Sequence, residues 1–450
     1  MAEPVPINSQ LAGTGVTSAA PRKAAVLRDS NARWLVIGQL GSQICDRMAL
    51  AGVLWFLTVS AGPTLVPWYI ATSGLPHLAL AWRAGRIINA LGPLRVVVWA
   101  DLLRGALFLA AAALLEVLPQ HADIAVLFAL ALLGNLGAAL FNPAILSLPV
   151  RLARREFYQP NQLTALLSSC GATGTIVGPA LAALIYQAGG LETVLAITGA
   201  AYLAAGVIEQ RVRLPRTDAP AARSAQVQGS TQGRTQGSTQ GSTQGSIGIG
   251  PVVRRHPLVG WLLGLLLLVN LGMGPIVLFL PLYAASEFSG GIAAQAWLQS
   301  SIGTGMIVGG LATAVFGLPG SRRLRVSLPV IITTACYLGF ALSHSLPLSC
   351  ALLLAMGAAL AASNAGLIGL FQTIPDEHEV PALMAMVNLF GVASLPLSMA
   401  VIGVVLHAAP VTTVATVCAA SALLLALLSP AIPGLSVGAA ARPPPDRSAA

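Results

Sequence analysis

Lysine is almost missing from this chain: Lys23 is the only one among 450 residues. A phosphate-binding loop needs a Lys after its glycine-rich turn, and a Schiff-base carbonyl site needs one inside the protein. Lys23 stands in a polar N-terminal stretch, so neither chemistry is expected. Charge of either sign is also scarce. Only 9% of residues are charged, against about 25% in a soluble domain, which excludes an ordinary water-soluble fold. Five cysteines (Cys45, Cys170, Cys336, Cys350 and Cys418) lie far apart, without metal-ligand spacing, and read as small packing residues. The six histidines fall mostly at the ends of apolar runs, and no carboxylates cluster. A nucleophile, acid and base that converge are therefore not visible, and an enzyme is not expected.

What the chain has is long apolar runs. Mean hydropathy is +0.79 and 56% of residues are hydrophobic. A spanning helix needs about 20 apolar residues, and twelve such stretches can be marked: 34–60, 65–84, 96–116, 122–148, 162–187, 191–209, 257–284, 292–316, 326–343, 346–370, 381–407 and 411–430. In lipid every backbone polar group needs an internal partner, so these are expected to be helices. Of the 24 Lys and Arg residues, all but Arg47 and Arg104 fall in alternate loops or in the two tails. This is the positive-inside pattern, and it predicts that both termini are cytoplasmic. The net charge of +9 is thereby read as orientation charge, and no nucleic-acid partner is expected. Residues 1–33 lack a central apolar run, so a cleavable signal peptide is not expected there.

The organisation is two halves and a tether. Residues 34–209 and 257–430 each hold six spans, between tails at 1–33 and 431–450. The segment 210–256 carries a tandem repeat beginning Gly229-Ser230-Thr231-Gln232 and reads as a flexible linker, with a docking role for a partner left open. Pro179 in the fifth span and Pro396 in the eleventh occupy corresponding places. Six plus six spans with weak internal similarity is the mark of a transporter built from repeats, with its site where the halves meet.

Three motifs sharpen this. Gly85-Arg86-Ile87-Ile88-Asn89-Ala90-Leu91-Gly92-Pro93-Leu94-Arg95 resembles the loop 2–3 signature of the major facilitator superfamily, with Gly85, Gly92 and Arg95 matching. Asn89 stands where the family has an Asp and Ala90 where it has a basic residue, which implies a weaker charge-assisted lock at this loop. In the fifth span, Gly174, Gly178 and Pro179 resemble the family's antiporter signature, although Ala182 and Ala183 replace its last two glycines. Gly171, Gly174 and Gly178 form one small-residue face, and Gly305 and Gly309 offer a similar one in the eighth span. Finally, Asp101-Leu102-Leu103-Arg104, Phe141-Asn142-Pro143-Ala144, Ser394-Leu395-Pro396-Leu397 and Pro375-Asp376-Glu377 resemble the branch that holds macrolide and enterobactin exporters, over roughly residues 34–430. The basic part of the last motif is replaced by His378, Glu379, Val380 and Pro381. The resemblance implies an all-α membrane protein of twelve transmembrane helices in two six-helix bundles. It also implies export of a small molecule, a monomer in the inner or plasma membrane, no cofactor, and the proton gradient as energy source.

Ionisable groups inside spans are the functional signal, since each costs about 2.5–3.5 kcal/mol at a span centre. Five stand out, all in the first half: Asp46, Arg47, His77, Asp101 and Arg104. Asp46 lies near mid-bilayer, about 18 Å into the first span at 1.5 Å per residue. It either carries the coupling proton or belongs to a structural ion pair. Arg47 points about 100° away from it and is free to meet an anionic substrate group or a distant carbonyl. Asp101 and Arg104, three apart on one helix face, are expected either to form a structural clamp behind the second loop or to take part in coupling, with Arg47 and Arg104 supplying charge near Asp46. His77 either titrates near neutrality or packs with a hydrogen bond. Asn135, Asn270, Asn364, Gln372 and Asn388 are either interhelical hydrogen bonds or substrate contacts. The substrate class stays open between a drug-like compound and an endogenous product such as a siderophore. An importer, or a channel or receptor of the same fold, is the alternative.

Overall fold

The computed structural model describes residues 28–80, 83–152, 160–213, 253–288, 290–318, 320–374, 380–433 and 435. The repeat linker from 214 to 252, the residues Pro375-Asp376-Glu377 and most of both tails lie outside the described residues, as do the side chains of Gln372 and Asn388.

The described residues are nearly all helical. The first half contains α1 (Ser30–Ser60), α2 (Leu65–Leu80), a short α3 (Ala84–Leu91), α4 (Pro93–Val117), α5 (Asp123–Leu152) and α6 (Pro160–Glu209). The second contains α7 (Pro257–Met273), α8 (Ile276–Ser286), α9 (Gly291–Phe316), α10 (Arg322–Ala341), α11 (Leu346–Thr373), α12 (Val380–Val405) and α13 (Val411–Leu428). The local chemistry accounts for the breaks. The Asp29 carboxylate accepts from the Asn31 amide, 3.0 Å away, and starts α1. Gly92, at φ +87°, turns the chain sharply between α3 and α4, with Pro93 at the first helical position. The 50-residue α6 is really two spans, because Gly189 and Gly190 leave helical geometry at its middle, Gly190 with φ +73°. The helix runs on through Pro179. Pro275 separates α7 from α8 within one span, since it lacks the amide that would continue the ladder. Counting the two arms of α6 separately and α7 with α8 as one, and leaving out the short α3, twelve spanning rods result.

Eight of the described helical stretches meet the length and apolarity expected of a membrane crossing. The 31-residue α1 is long enough but does not meet it. Gln39, Ser42, Gln43, Asp46 and Arg47 make it more polar, and three of them, Gln39, Ser42 and Asp46, build the site below.

Each half packs on its own and the halves share one end. In the first half α6 packs along α1 and α4, with α5 against α4; in the second, α11 packs along α9 and α10. Where the arginine-bearing loops lie, each half has a core of its own. One includes Leu35, Val97, Phe141, Leu152 and Val212; the other includes Val259, Val326, Phe371 and Leu383. At the opposite end a single core joins residues of both halves, including Leu54, Trp55, Tyr69, Phe279 and Tyr283. Contacts between halves agree with this. Gln295 donates to the Ala51 carbonyl at 3.1 Å and Ser300 to the Ile176 carbonyl at 2.8 Å. A methyl placed on Gly403 would lie 3.0 Å from the Trp68 indole. All of these lie at mid-helix or beyond it, away from the arginines. Among the described residues, the halves meet from mid-helix to the end away from the arginines, and toward the arginine-bearing end each keeps its own core.

Candidate functional site

The polar residues of α1 fall into a pattern. Gln39, Ser42 and Asp46 are spaced i, i+3, i+7 and so share one helix face. Each meets a side chain from α4 or α6. Gln39 Nε2 donates to Glu209 Oε1 at 2.9 Å. Ser42 Oγ donates to Asp101 Oδ1 at 3.2 Å. Asp46 Oδ1 accepts from both Arg104 Nη2 and the Tyr202 hydroxyl.

Arg104 is the hub. It is 6% exposed. Its Nη1 lies 4.0 Å from Asp101 Oδ1, and its guanidinium sits 4.4 Å from the centroid of the Tyr202 ring. That ring packs in turn against Phe108, 5.6 Å between centroids. Glycine makes the space: a methyl on Gly137 of α5 would lie 3.2 Å from Arg104 Cγ. The backbones of α4 and α6 close tightly around the cluster, because a methyl on Gly105 would meet the Gly199 carbonyl at 2.9 Å. Asp101 is fully buried, whereas the Asp46 side chain is 33% exposed. One guanidinium therefore stands between a buried carboxylate and one that water can reach.

The neighbours expected from the sequence distribute as follows. Arg47 is exposed, and among the described residues no carboxylate lies within ion-pair reach of it. Its Cβ is held by α6, 2.5 Å from where a methyl on Gly178 would be. Gly174 faces the Gln43 carbonyl of α1 in the same way, at 2.6 Å. The glycine face of the fifth span thus seats α1 within its own half, and Pro179 follows it without a break. The eighth span meets the adjacent face through Gly303, which lies against Thr175 and Ile176. Gly305 and Gly309 turn instead to Leu354 and Ala358 of α11. His77 is partly buried, one turn from Gly74, which abuts Pro396 of α12 where the halves meet. In the loop 2–3 motif, Gly85, Asn89 and Arg95 are exposed and Gly92 makes the turn. Asn135 and Asn270 donate to carbonyls of their own helices, Ala131 at 2.7 Å and Leu266 at 2.8 Å. Asn364 is exposed.

Four members of the cluster escaped the sequence reading: Gln39, Ser42, Tyr202 and Glu209. Their signal was spacing. Tyr202 and Glu209 are seven apart on α6, as Gln39 and Asp46 are on α1, so the two stripes are matched in length.

Comparison with known proteins places this geometry. The family model of the Major Facilitator Superfamily matches residues 35–390. Curated relatives named bacilysin exporter BacE, from Bacillus amyloliquefaciens and Bacillus subtilis, are 24% identical over 184 residues, which is 41% of this chain and 44% of theirs. The chain thus spans under half the length of these relatives. Among solved structures, the nucleoside transporter NupG is 14% identical with a TM-score of 0.64, covering 89% of this chain and 99% of that one. A D-xylose–proton symporter is 12% identical with a TM-score of 0.65, covering 88% and 96%. A bacterial homologue of the lysosomal transporter Spinster, inward-facing and unoccupied, is 11% identical with a TM-score of 0.58, covering 90% and 95%. These structural likenesses concern the fold, and with the family match across most of its length this chain belongs to the Major Facilitator Superfamily.

Proposed function

We propose that this protein is a proton-coupled exporter of a small amphipathic molecule, working by alternating access as an antiporter in the inner or plasma membrane. The carrying observation is the placement of Arg104 between Asp46 and Asp101. A buried cation that loses its only counter-ion is costly, by about 3–5 kcal/mol for a broken buried pair. Here Asp46 can hold a proton while an ionised Asp101 balances Arg104, and Asp101 can hold it while an ionised Asp46 does. The exposed carboxylate is thus able to load and unload without stranding the charge behind it. Tyr202 follows Asp46 through its hydroxyl, so the change is felt on α6 as well as α1.

The separate cores of the two halves toward the arginine-bearing end support a resting state that faces the cytoplasm, with both termini on that side. Arg47, exposed beside the Gly178 face, is the group offered to an anionic part of a substrate. Asp46 is the group offered to a cationic part. Export as the direction draws on the partial likeness to BacE and on the motifs of the exporter branch. The coupling needs a proton gradient and no bound cofactor, and a single copy of the chain contains every residue of the proposed relay.

The test is transport in reconstituted vesicles with an imposed pH difference, using a panel that includes bacilysin, a cationic drug-like dye and an anionic siderophore. Movement of a panel member opposite to proton flow, abolished by Asp46→Asn, supports the reading. Movement that ignores the pH difference, or runs with the proton, contradicts it.

A further inference from the structure

We propose that Glu209 is the proton port of a buried path, Glu209–Asp101–Asp46, that connects the arginine-bearing end of the first half to the coupling carboxylate. This extends the proton-coupled reading of Asp46 and rests on it.

The path follows the α1 stripe. From Gln39 to Asp46 is seven residues, about 10 Å of rise. Along it Gln39 meets Glu209, Ser42 meets Asp101, and Asp46 meets Arg104 and Tyr202. Glu209 and Asp101 are both fully buried. Each has one carboxyl oxygen, Glu209 Oε2 and Asp101 Oδ2, that is buried with no hydrogen-bond partner. Glu209 enters this position because α1 has no side chain at Gly38, where a methyl would lie 2.6 Å from its Cγ. Among the described residues no cation lies within ion-pair reach of Glu209; the guanidinium of Arg211 stacks on Trp34 instead, 4.9 Å from the ring centroid.

Charge balance then requires protons. The groups that face one another here are the carboxyls of Asp46, Asp101 and Glu209, the Arg104 guanidinium, the Tyr202 hydroxyl, the Cys45 thiol and, from α2, the His77 ring. From α1 Glu209 meets neutral Gln39, and the carboxyl that faces it electrostatically from α4 is Asp101. Arg104 is one permanent cation among three carboxyls. If all three were ionised, two negative charges would stand uncompensated out of water, which costs several kcal/mol each. Protons on the acids remove that cost, and the two unpartnered oxygens are where such protons belong.

The position of Glu209 makes it the port. It is the last residue of α6, and Gln210 and Arg211, which follow, are exposed. A small outward movement of this helix end brings its carboxyl to water. Gln39, which meets Glu209, and Ser42, which meets Asp101, stand one turn apart on α1 and both donate and accept.

The experiment is infrared difference spectroscopy on the full-length protein in lipid nanodiscs, without substrate, comparing mildly acidic with alkaline buffer. The wild type is expected to lose protonated-carboxyl absorption as pH rises. Glu209→Gln, which keeps the shape and the Gln39 contact, removes one component of that signal. In the same variant the Asp46 component, identified by its absence in Asp46→Asn, follows a pH jump about a hundredfold more slowly or worse. Glu209→Asp retains an acid there and restores the response, which separates a proton-carrying role from a purely structural one. A Glu209→Gln difference spectrum equal to the wild type, or an Asp46 component that responds at the wild-type rate, overturns the proposal. Its failure is distinct from failure of the proton-coupled reading, which shows as vesicle transport that is indifferent to Asp46→Asn.

Discussion

Replacing Arg104 by leucine tests the cluster most sharply as a structure. The guanidinium is 6% exposed and holds Asp46 by a hydrogen bond, Asp101 at 4.0 Å and the Tyr202 ring at 4.4 Å. Leucine removes the one cation and leaves its partners in place. Breaking a buried pair from one side costs about 3–5 kcal/mol, and loss of the contact with Tyr202 adds about 1 kcal/mol. Part of this is recovered if Asp46, at 33% side-chain exposure, draws water; Asp101, fully buried, cannot do so without a change of packing. The expected loss is therefore about 3 kcal/mol, at the lower end of that range. The assay is thermal unfolding of the purified protein in detergent, with the double variants Arg104→Leu/Asp46→Asn and Arg104→Leu/Asp101→Asn completing two cycles. The second double variant is expected to recover more than the first, since Asp101 is the acid without access to water. Refutation would be an Arg104→Leu protein as stable as the wild type, or equal recovery from both double variants.

Other expectations follow from the packing. Gly178→Leu should destabilise by about 1–3 kcal/mol, because the added side chain meets Arg47 Cβ and the Ile44 carbonyl; the same thermal assay reads it. Tyr202→Phe keeps the ring over Arg104 and removes only the hydroxyl bond to Asp46, so a loss of about 1 kcal/mol is expected, with a larger effect on transport than on stability. Gln295→Leu removes the bond to the Ala51 carbonyl that helps hold the halves together; spin-label distances across the closed end should broaden, and an unchanged distribution would show that the apolar core alone keeps that end shut.

Much of the architecture was legible because lipid leaves few options. Long apolar runs must be helices, and alternate arginines show which ends lie together, in agreement with the separate core that each half has at the arginine-bearing end. The site was legible only where charge interrupted an apolar run. Asp46, Asp101 and Arg104 could be picked out one by one, and the contact of Arg104 with Asp101 could be read from their spacing, but not which acid holds Arg104 more closely. Arg104 reaches Asp46, 58 positions away, more closely than it reaches Asp101 on its own helix. Helix-surface spacing favours the local partner; the packing of α1 and α4 along the same helix, α6, decides otherwise. Glu209 was hidden by a boundary. At the end of an apolar run, beside Arg211 and Arg213, an acid reads as a solvated loop residue, and only the seating of α6 against Gly38 shows it to be buried. The glycines of the fifth and eighth spans were legible as close-packing faces, but not as to which helix each one meets.

The account stands on Asp46 carrying the coupling proton, and one measurement addresses that directly. Wild-type and Asp46→Asn proteins are reconstituted side by side, and transport of a panel compound is followed with and without a pH difference. The account predicts pH-driven transport in the wild type, its loss in Asp46→Asn, and retained substrate exchange in that variant when no pH difference is imposed. Wild-type pH-driven transport in Asp46→Asn would contradict it.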